Sequence, residues 1–175
     1  MLGNKSGVLE IVNRALKEDL GVSGDITSDN LLPLDQKCKG IVLAKEKGIV
    51  CGLEVSEMVF KQCNENLSFN FLKSDGEMVK KGEKIAYVEG STRDILKGER
   101  TALNFLQRLS GIATRTASYV EKVKDYSVKV TDTRKTTPTL RILEKYAVTI
   151  GGGYNHRMGL YDAVMIKDNH IKAAG

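Results

Sequence analysis

The sequence has 175 residues, of which 41% are hydrophobic and 28% charged, a balance typical of a globular protein with one domain or two small ones. No apolar run approaches the roughly 18 residues that argue for a membrane span, and the N-terminal residues lack the apolar core of a signal peptide, so we expect a cytoplasmic protein. The cysteines Cys38, Cys51 and Cys63 have no CxxC spacing, which argues against a disulfide framework or a zinc site and favours buried apolar roles.

The charge is divided unevenly between the two halves of the chain. Residues 1–90 contain 12 Lys and Arg against 14 Asp and Glu, whereas residues 91–175 contain 15 against 8. The overall net charge of +5 therefore combines a first half at −2 with a second half at +7. A basic half attracts anions, which include nucleic acid, membrane surfaces and small phosphorylated or carboxylated metabolites. Composition alone does not choose among them.

The first 90 residues have the pattern of an α+β unit. Apolar residues at helical spacing over 6–20 predict an amphipathic helix, and the stretch GVSGDITSDNLLP after it has the composition of turns. The stretch CKGIVLAKEKGIVCG predicts two short strands around a charged turn, followed by a helix over 53–63. Alternation at period two over 67–90, interrupted twice by glycine-containing turns, predicts further strands.

The second half begins with a long helical pattern over 91–126, with a predicted break at Gly111. The pattern then changes to strand, helix and strand, in YSVKVTDT, TPTLRILEKYAVTIG and YDAVMIKDNHI. A βαβ unit implies parallel strands and usually more than two of them, because two alone leave open edges. We therefore predict an α+β domain over 1–111, the start of an α/β domain over 112–175, and a longer protein of which these residues are the front part.

Basic residues gather where the two predicted strands end. In parallel β/α architectures ligands bind at the carboxyl ends of the strands, which selects residues 132–137 and 167–170. The glycine-rich stretch GGGYNHRMG lies between them. Grouped cations are favourable only with an anion among them, and the planar fork of arginine suits a carboxylate or a phosphate. We therefore expect a small polyanionic ligand among five side chains: Arg134, Lys135, His156, Arg157 and Lys167.

Structural interpretations compete with this one. Any single Lys or Arg is more often a solvated surface charge. The triple glycine of residues 151–153 lacks the Lys-Ser/Thr of a P-loop and the GxGxxG spacing of a dinucleotide fold, and it serves equally well as a sharp turn. Asp132 and Asp168 either orient the basic residues or cap helices. The two histidines, His156 and His170, are too few and too far from the cysteines to indicate a structural metal site.

Four longer runs carry a family resemblance: EDLGVSGDITSDNLLP, GERTALNFLQRLSGIAT, TDTRKT and KYAVTIGGGYNHRMGLYDAVMIKDNHI. In collinear order they resemble quinolinate phosphoribosyltransferase, the carboxylating nicotinate-nucleotide pyrophosphorylase family of NAD biosynthesis. The resemblance implies an N-terminal α+β sandwich-like domain, then the first part of an incomplete type II phosphoribosyltransferase α/β barrel. It also implies the reaction: phosphoribosyl pyrophosphate and quinolinate, with magnesium, give nicotinate mononucleotide, pyrophosphate and CO2.

The resemblance also assigns roles to residues. The two carboxylates of quinolinate are held by residues that match the five cations above, and Thr133 matches a further substrate contact. Arg100, in GERT, matches an arginine that enters the site of the neighbouring subunit in a homodimer. Lys135 and Lys167 are the expected catalytic residues. No metal ligand is expected in these 175 residues. The magnesium ligands and the 5-phosphate loops are expected beyond them, so we expect the chain to lack much of the phosphoribosyl pyrophosphate site and to be inactive alone.

Three alternatives remain open from the sequence. One is a paralogue of the same fold associated with molybdenum transport, although the intact TRKT and NHR elements favour quinolinate. A second is a fragment that binds anions or nucleic acid non-specifically, which the 6% aromatic content and the position of the basic residues at strand ends disfavour. A third is a folded piece without activity.

Overall fold

A computed structural model describes residues 5–175. In this part of the chain the helices are α1 (Lys5–Leu20), α2 (Ile26–Leu31), α3 (Leu53–Cys63), α4 (Thr92–Lys122), α5 (Arg141–Ile150) and α6 (Asp168–Ala174). The strands are β1 (Lys37–Leu43), β2 (Gly48–Ile49), β3 (Ser68–Phe71), β4 (Met78–Val79) and β5 (Lys84–Ser91). None of the described helices is long and apolar enough to cross a membrane.

The first half is an α+β unit built on an antiparallel sheet. Strand β5 is central, with β1 on one side and β3 on the other, while β2 and β4 form a separate pair. In β5, Ile85, Ala86 and Val88 are buried in the core together with residues of helices α1, α3 and α4. The predicted α+β class and the helix over 53–63 are confirmed. The predicted strands β1 and β2 exist, but each pairs with a different partner and not with the other.

Helix α4 carries both halves of the protein. It has 31 residues, which at a rise of 1.5 Å each makes it about 46 Å long. The predicted break at Gly111 is wrong, because the helix continues through it. A single glycine costs a helix only about 1 kcal/mol relative to alanine. Burial of Leu109 and Ala113 on either side of Gly111 favours the unbroken helix.

The second half departs further from the prediction. Helix α5 packs against α4 through the buried side chains of Leu143 and Ala147. The predicted parallel pairing of residues 126–133 with 161–171 is absent from the described residues, and Thr131 instead forms a single parallel bridge with Tyr154, which precedes the predicted second strand. The second predicted strand, residues 161–171, is wrong: residues 161–167 form no strand, and residues 168–171 belong to helix α6. A strand needs a neighbour to satisfy its backbone groups, and the described residues place none beside this segment.

Two local predictions in the first half are also corrected. The stretch predicted as turns contains α2, because the Asp25 carboxylate accepts hydrogen bonds from the backbone N–H groups of Thr27 and Ser28 and so caps a helix. Cys38 is exposed on β1, not buried. Cys51 is buried and Cys63 half-buried. Burial, with a smaller contribution from the charge of Asp94, raises the pKa of the Cys63 thiol to about 11, so this thiol is not a ready nucleophile.

Side chains of α4 and α5 join the two halves. The Ser110 hydroxyl accepts from the Cys51 N–H at 3.0 Å and donates to the Cys51 carbonyl, so it occupies backbone groups that no strand pairs. The Tyr146 hydroxyl on α5 donates to Asp75 Oδ2 at 2.8 Å. Asp75 in turn accepts from two N–H groups at the start of α3. Burial, together with the charge of Asp75, raises the pKa of Tyr146, which keeps this hydroxyl a donor.

Replacing two glycines by alanine, Gly151 next to α4 and Gly111 within α4, should change stability in opposite directions. A Cβ at Gly151 would lie 2.4 Å from the Ala113 carbonyl oxygen and 2.7 Å from Thr116 Cβ, so Gly151→Ala should cost about 1–3 kcal/mol through overpacking. A Cβ at Gly111 would meet nothing within 4 Å, so Gly111→Ala should stabilise the protein by about 0.5–1 kcal/mol. Urea unfolding of both variants measures the difference. Equal effects of the same sign would contradict this packing.

Candidate functional site

A buried ion pair fixes the end of the Thr131 bridge. Lys145 Nζ on α5 lies 2.5 Å from Asp132 Oδ1, and the two side chains are only 1% and 6% exposed. The same ammonium donates to the carbonyl of His156 at 2.7 Å, and the same carboxylate oxygen accepts from the His156 N–H at 2.8 Å. Both charges are therefore paired and hydrogen-bonded, as buried charges must be. Through these hydrogen bonds, the ion pair holds residues 132 and 156 together.

Further contacts reinforce this junction. The Tyr154 N–H donates to the Val130 carbonyl at 2.9 Å, and the Asp132 N–H donates to the Tyr154 carbonyl at 3.0 Å. The side-chain amide of Asn155, oriented with its nitrogen toward both acceptors, donates to Asp132 Oδ2 at 2.6 Å and to the Lys145 carbonyl at 3.0 Å. The structure thus holds Asp132, the residue before the TRKT segment, against Asn155 and His156 of the NHR segment.

The 133–137 loop (Thr133, Arg134, Lys135, Thr136 and Thr137) follows this junction. Thr133 Oγ1 accepts from the Lys135 N–H at 3.0 Å, and both residues are exposed. Arg134 is half-buried, and its Nε atom is buried without a hydrogen-bond partner. Buried donors are nearly always satisfied, so Arg134 is incompletely hydrogen-bonded in the described chain.

The NHR segment is partly occupied by contacts of its own. His156 Nδ1 accepts from the Arg157 N–H at 2.7 Å, so the proton of the neutral imidazole belongs on Nε2. Arg157 is only 9% exposed, and its Nη1 donates to the Ala163 carbonyl at 2.5 Å. That contact uses one of five guanidinium N–H groups. Arg157 therefore has both a structural contact and donors in reserve.

The remaining predicted site residues lie apart from this group. Lys167 precedes α6, and its backbone N–H donates to His170 Nδ1 at 2.9 Å, so His170 helps to cap that helix. Asp168 is exposed in the first turn of α6, where the negative charge of a carboxylate interacts favourably with the helix dipole. Arg100 is exposed on α4. Within residues 5–175 no hydrogen bond or ion pair joins Lys167 or Arg100 to the TRKT and NHR segments, so the convergence of all five cations stays a prediction.

Sequence reasoning missed four charged residues that hold the loops. On α5, Arg141 donates to Thr136 Oγ1 and to the Met158 carbonyl, each at 3.0 Å. Glu144 accepts from Arg108 of α4 at 2.9 Å and from the Thr137 N–H at 3.2 Å. The signal is in the spacing, since positions i, i+3 and i+4 share one face of a helix. The four charged residues that hold the loops are Arg108, Arg141, Glu144 and Lys145.

The electrostatics of Glu144 follow from these contacts. Burial disfavours its ionised form, but hydrogen bonds from Arg108 and Thr137 outweigh burial and lower the pKa of the carboxyl. Glu144 therefore remains a carboxylate that accepts from both. A separate cavity of about 580 Å³ is lined by residues 42–50 and by α4, and it contains none of the predicted site residues.

The ion pair makes a sharp stability prediction. Lys145→Ala should cost about 3–5 kcal/mol, because it leaves the buried Asp132 carboxylate without a counter-charge. Lys124→Ala is the matched control, since Lys124 pairs with Glu121 on the surface, with side chains 57% and 70% exposed, and should change stability by no more than about 0.5 kcal/mol. Urea unfolding measures both. A mild effect of Lys145→Ala would show that the pair is not a structural requirement.

The sequence matches two family models in chain order. Residues 25–110 match the N-terminal domain of quinolinate phosphoribosyl transferase, and residues 112–175 match its C-terminal domain. Among curated relatives, a probable carboxylating nicotinate-nucleotide pyrophosphorylase of Bacillus subtilis is 49% identical over 95% of this chain and 57% of its own. A decarboxylating quinolinate phosphoribosyltransferase of Nicotiana glauca, named as mitochondrial, is 47% identical over 95% of this chain and 47% of its own.

Solved structures are similar over the same extent. NadC from Streptococcus pyogenes superposes with a TM-score of 0.93 at 44% identity, covering 98% of this chain and 60% of that one. The nicotinate-nucleotide pyrophosphorylase of Francisella tularensis superposes with a TM-score of 0.92 at 41% identity, with the same coverage. The chain therefore spans about half the length of the curated relatives that it matches, and its fold is that of the corresponding part of these enzymes.

Proposed function

The chain belongs to the quinolinate phosphoribosyltransferase family, and we propose that it supplies the quinolinate-binding part of an enzyme that makes nicotinate mononucleotide. In the proposed reaction the phosphoribosyl group of phosphoribosyl pyrophosphate passes to the ring nitrogen of quinolinate, with release of pyrophosphate and CO2. The observation that carries the proposal is the cationic junction of the TRKT and NHR segments, where Arg134 Nε is buried without a partner.

The ligand chemistry follows from this junction. In the proposed site Arg134 and Lys135 bind from one segment and His156 and Arg157 from the other, and two adjacent carboxylates on a pyridine ring are a suitable counterpart. Binding both carboxylates orients the ring nitrogen for in-line attack on the anomeric carbon, and this alignment is a large part of catalysis. Nicotinate lacks one carboxylate, so its binding leaves cations unpaired. A site that rejects an incomplete ligand in this way gains selectivity.

Lys135 and Lys167 are proposed as the catalytic residues, which stabilise the negative charge that develops during the reaction. Ribosyl transfer releases pyrophosphate and leaves a positive ring nitrogen, which assists loss of the adjacent carboxylate as CO2. A lysine near the reacting groups stabilises negative charge as it develops. Lys135 is exposed beside Thr133, where it is free to reach a ligand. Lys167 requires the 161–167 segment to approach the junction.

Magnesium is proposed to accompany phosphoribosyl pyrophosphate. Within residues 5–175 no group of three or more His, Cys, Asp or Glu side chains is placed to hold a metal ion. Asp132, the carboxylate nearest the cationic junction, has both oxygens occupied by Lys145, His156 and Asn155. The described residues therefore do not fit a magnesium site, and no step of the proposal depends on one in this part of the chain.

A homodimer completes the proposal. Arg100 is exposed on α4, and its side chain makes no hydrogen bond or ion pair with another described residue. A cation so presented suits donation to the site of a second copy, where a shared site makes the two-fold interface functional. The cytoplasmic location expected from the sequence stays a prediction. The comparisons lend no support to the molybdenum-related or nucleic-acid-binding alternatives.

Calorimetric titration with quinolinate tests this proposal directly. We expect saturable binding of quinolinate, at least tenfold weaker binding of nicotinate, and a raised thermal midpoint only with the tighter ligand. Arg134→Ala should weaken quinolinate binding about 10- to 150-fold, since a hydrogen bond to a charged group contributes about 1.5–3 kcal/mol.

Lys129→Ala is the control for loss of positive charge, because Lys129 is exposed and lies over the Tyr154 ring, outside the 133–137 loop. It should bind quinolinate as the unaltered chain does. Equal weakening in both variants would reduce the proposal to non-specific attraction of an anion. Equal binding of nicotinate and quinolinate would count against a two-carboxylate site.

A further inference from the structure

We propose that Glu144, acting with Arg108, is a positioning residue that presets the 133–137 loop for its anionic ligand. The identity of that ligand as quinolinate rests on the proposed function. The positioning itself rests on contacts in this chain. Glu144 does not contact a ligand in this proposal; it acts through Thr137, two residues after Lys135.

The loop has little support from its own backbone. No backbone–backbone hydrogen bond involves residues 133–136 among those that the described chain makes. Thr139, just beyond the loop, has a φ of 70°, in the left-handed region that a threonine adopts only under constraint. The backbone preference of Thr139 therefore disfavours the conformation of this segment. Contacts from outside the loop must hold it.

Glu144 makes the central contact because each of its two carboxylate oxygens accepts a hydrogen bond from a different donor. Oε1 accepts from Arg108 Nε at 2.9 Å, and Oε2 accepts from the Thr137 N–H at 3.2 Å. Arg108 Nη2 also donates to Thr137 Oγ1. The carboxylate is only 11% exposed, so these hydrogen bonds are shielded from water. It joins α4, α5 and the loop at one point.

Two other contacts hold neighbouring parts of the loop, and they differ in what they fix. The Asp132–Lys145 ion pair fastens the residue before the loop. Arg141 bonds the Thr136 hydroxyl and, at 3.4 Å, the Arg134 carbonyl. Among these contacts, Glu144 alone accepts a hydrogen bond from a backbone N–H group within the 133–137 loop. Loss of that contact should release the loop while the ion pair remains.

A preset loop binds its ligand more tightly than a mobile one, because less conformational entropy is lost on binding. Coupling of this kind is reciprocal, so a ligand that needs the ordered loop must also order it. The signature of positioning is therefore a weaker ligand affinity that accompanies faster opening of the loop. General destabilisation would instead affect the whole chain.

The test compares Glu144→Gln with the unaltered chain by amide hydrogen exchange and by calorimetry with quinolinate. Glutamine keeps the shape but has one oxygen, so its NH2 group must face either Arg108 or the Thr137 N–H. We expect exchange of the Thr137 amide, which donates to Glu144, to become at least tenfold faster, exchange in α3 to stay unchanged, and the Kd for quinolinate to rise at least tenfold. Saturating quinolinate should restore most of the protection.

Two further variants make the test decisive. Glu121→Gln removes the same charge from an exposed ion pair on α4 and should change neither measurement. Arg108→Lys keeps the charge but not the two-pronged contact, and should give a smaller change in the same direction. It decides the question if Glu144→Gln fails to fold. Unchanged exchange of the Thr137 amide in Arg108→Lys and in a folded Glu144→Gln overturns the proposal.

The result also separates this proposal from the proposed function. Absence of quinolinate binding to the unaltered chain would defeat the proposed function, while the exchange comparison would still decide whether Glu144 positions the loop. Faster loop exchange with an unchanged Kd for quinolinate would overturn the positioning role, since the loop would then be held for stability alone.

Discussion

The site depends on the burial of Asp132 and Lys145 as a pair. Isolated charges are too costly to bury, and a buried pair is tolerated only where further hydrogen bonds satisfy both groups. Here Lys145 also bonds the His156 carbonyl, while Asp132 bonds the His156 N–H. Those contacts fix two segments that are more than twenty residues apart in sequence. The short bridge at Thr131 could not do so alone, since it provides only a pair of backbone hydrogen bonds.

Helix α4 connects this local constraint to the rest of the chain, because it contacts both halves. Toward the first half it bonds backbone groups of Ile49 and Cys51 through hydroxyls. Toward the second half it presents Arg108 to Glu144, and Ala113 packs beside Gly151. An unbroken helix transmits position rigidly along its length, so a hinge at Gly111 would loosen both sets of contacts. The continuity of α4 is therefore part of the site.

The sequence predicted the first half well because its signals are local. Helix α3 follows from spacing over 53–63, and β5 follows from alternation that its two neighbours then satisfy. The strand predicted over 161–171 depended on a neighbour outside its own sequence, and α2 depended on an Asp25 cap inside a turn-like composition. For the site, strand ends and glycines selected the loops on which the proposed function depends. The partners on α5 were missed because the packing of α4 against α5 chooses them.

Packing also divides the cations of the second half into two kinds. Lys145 is neutralised by Asp132, and Arg108 by Glu144. These residues maintain the structure whether or not a ligand is present. Arg134 Nε and the Lys135 side chain are given no such partner within the described chain. Because the structural cations are already compensated, an arriving anion interacts chiefly with the uncompensated ones. In the proposed site the number of free cations, and not the net charge of +7 of residues 91–175, therefore sets how many carboxylates can bind.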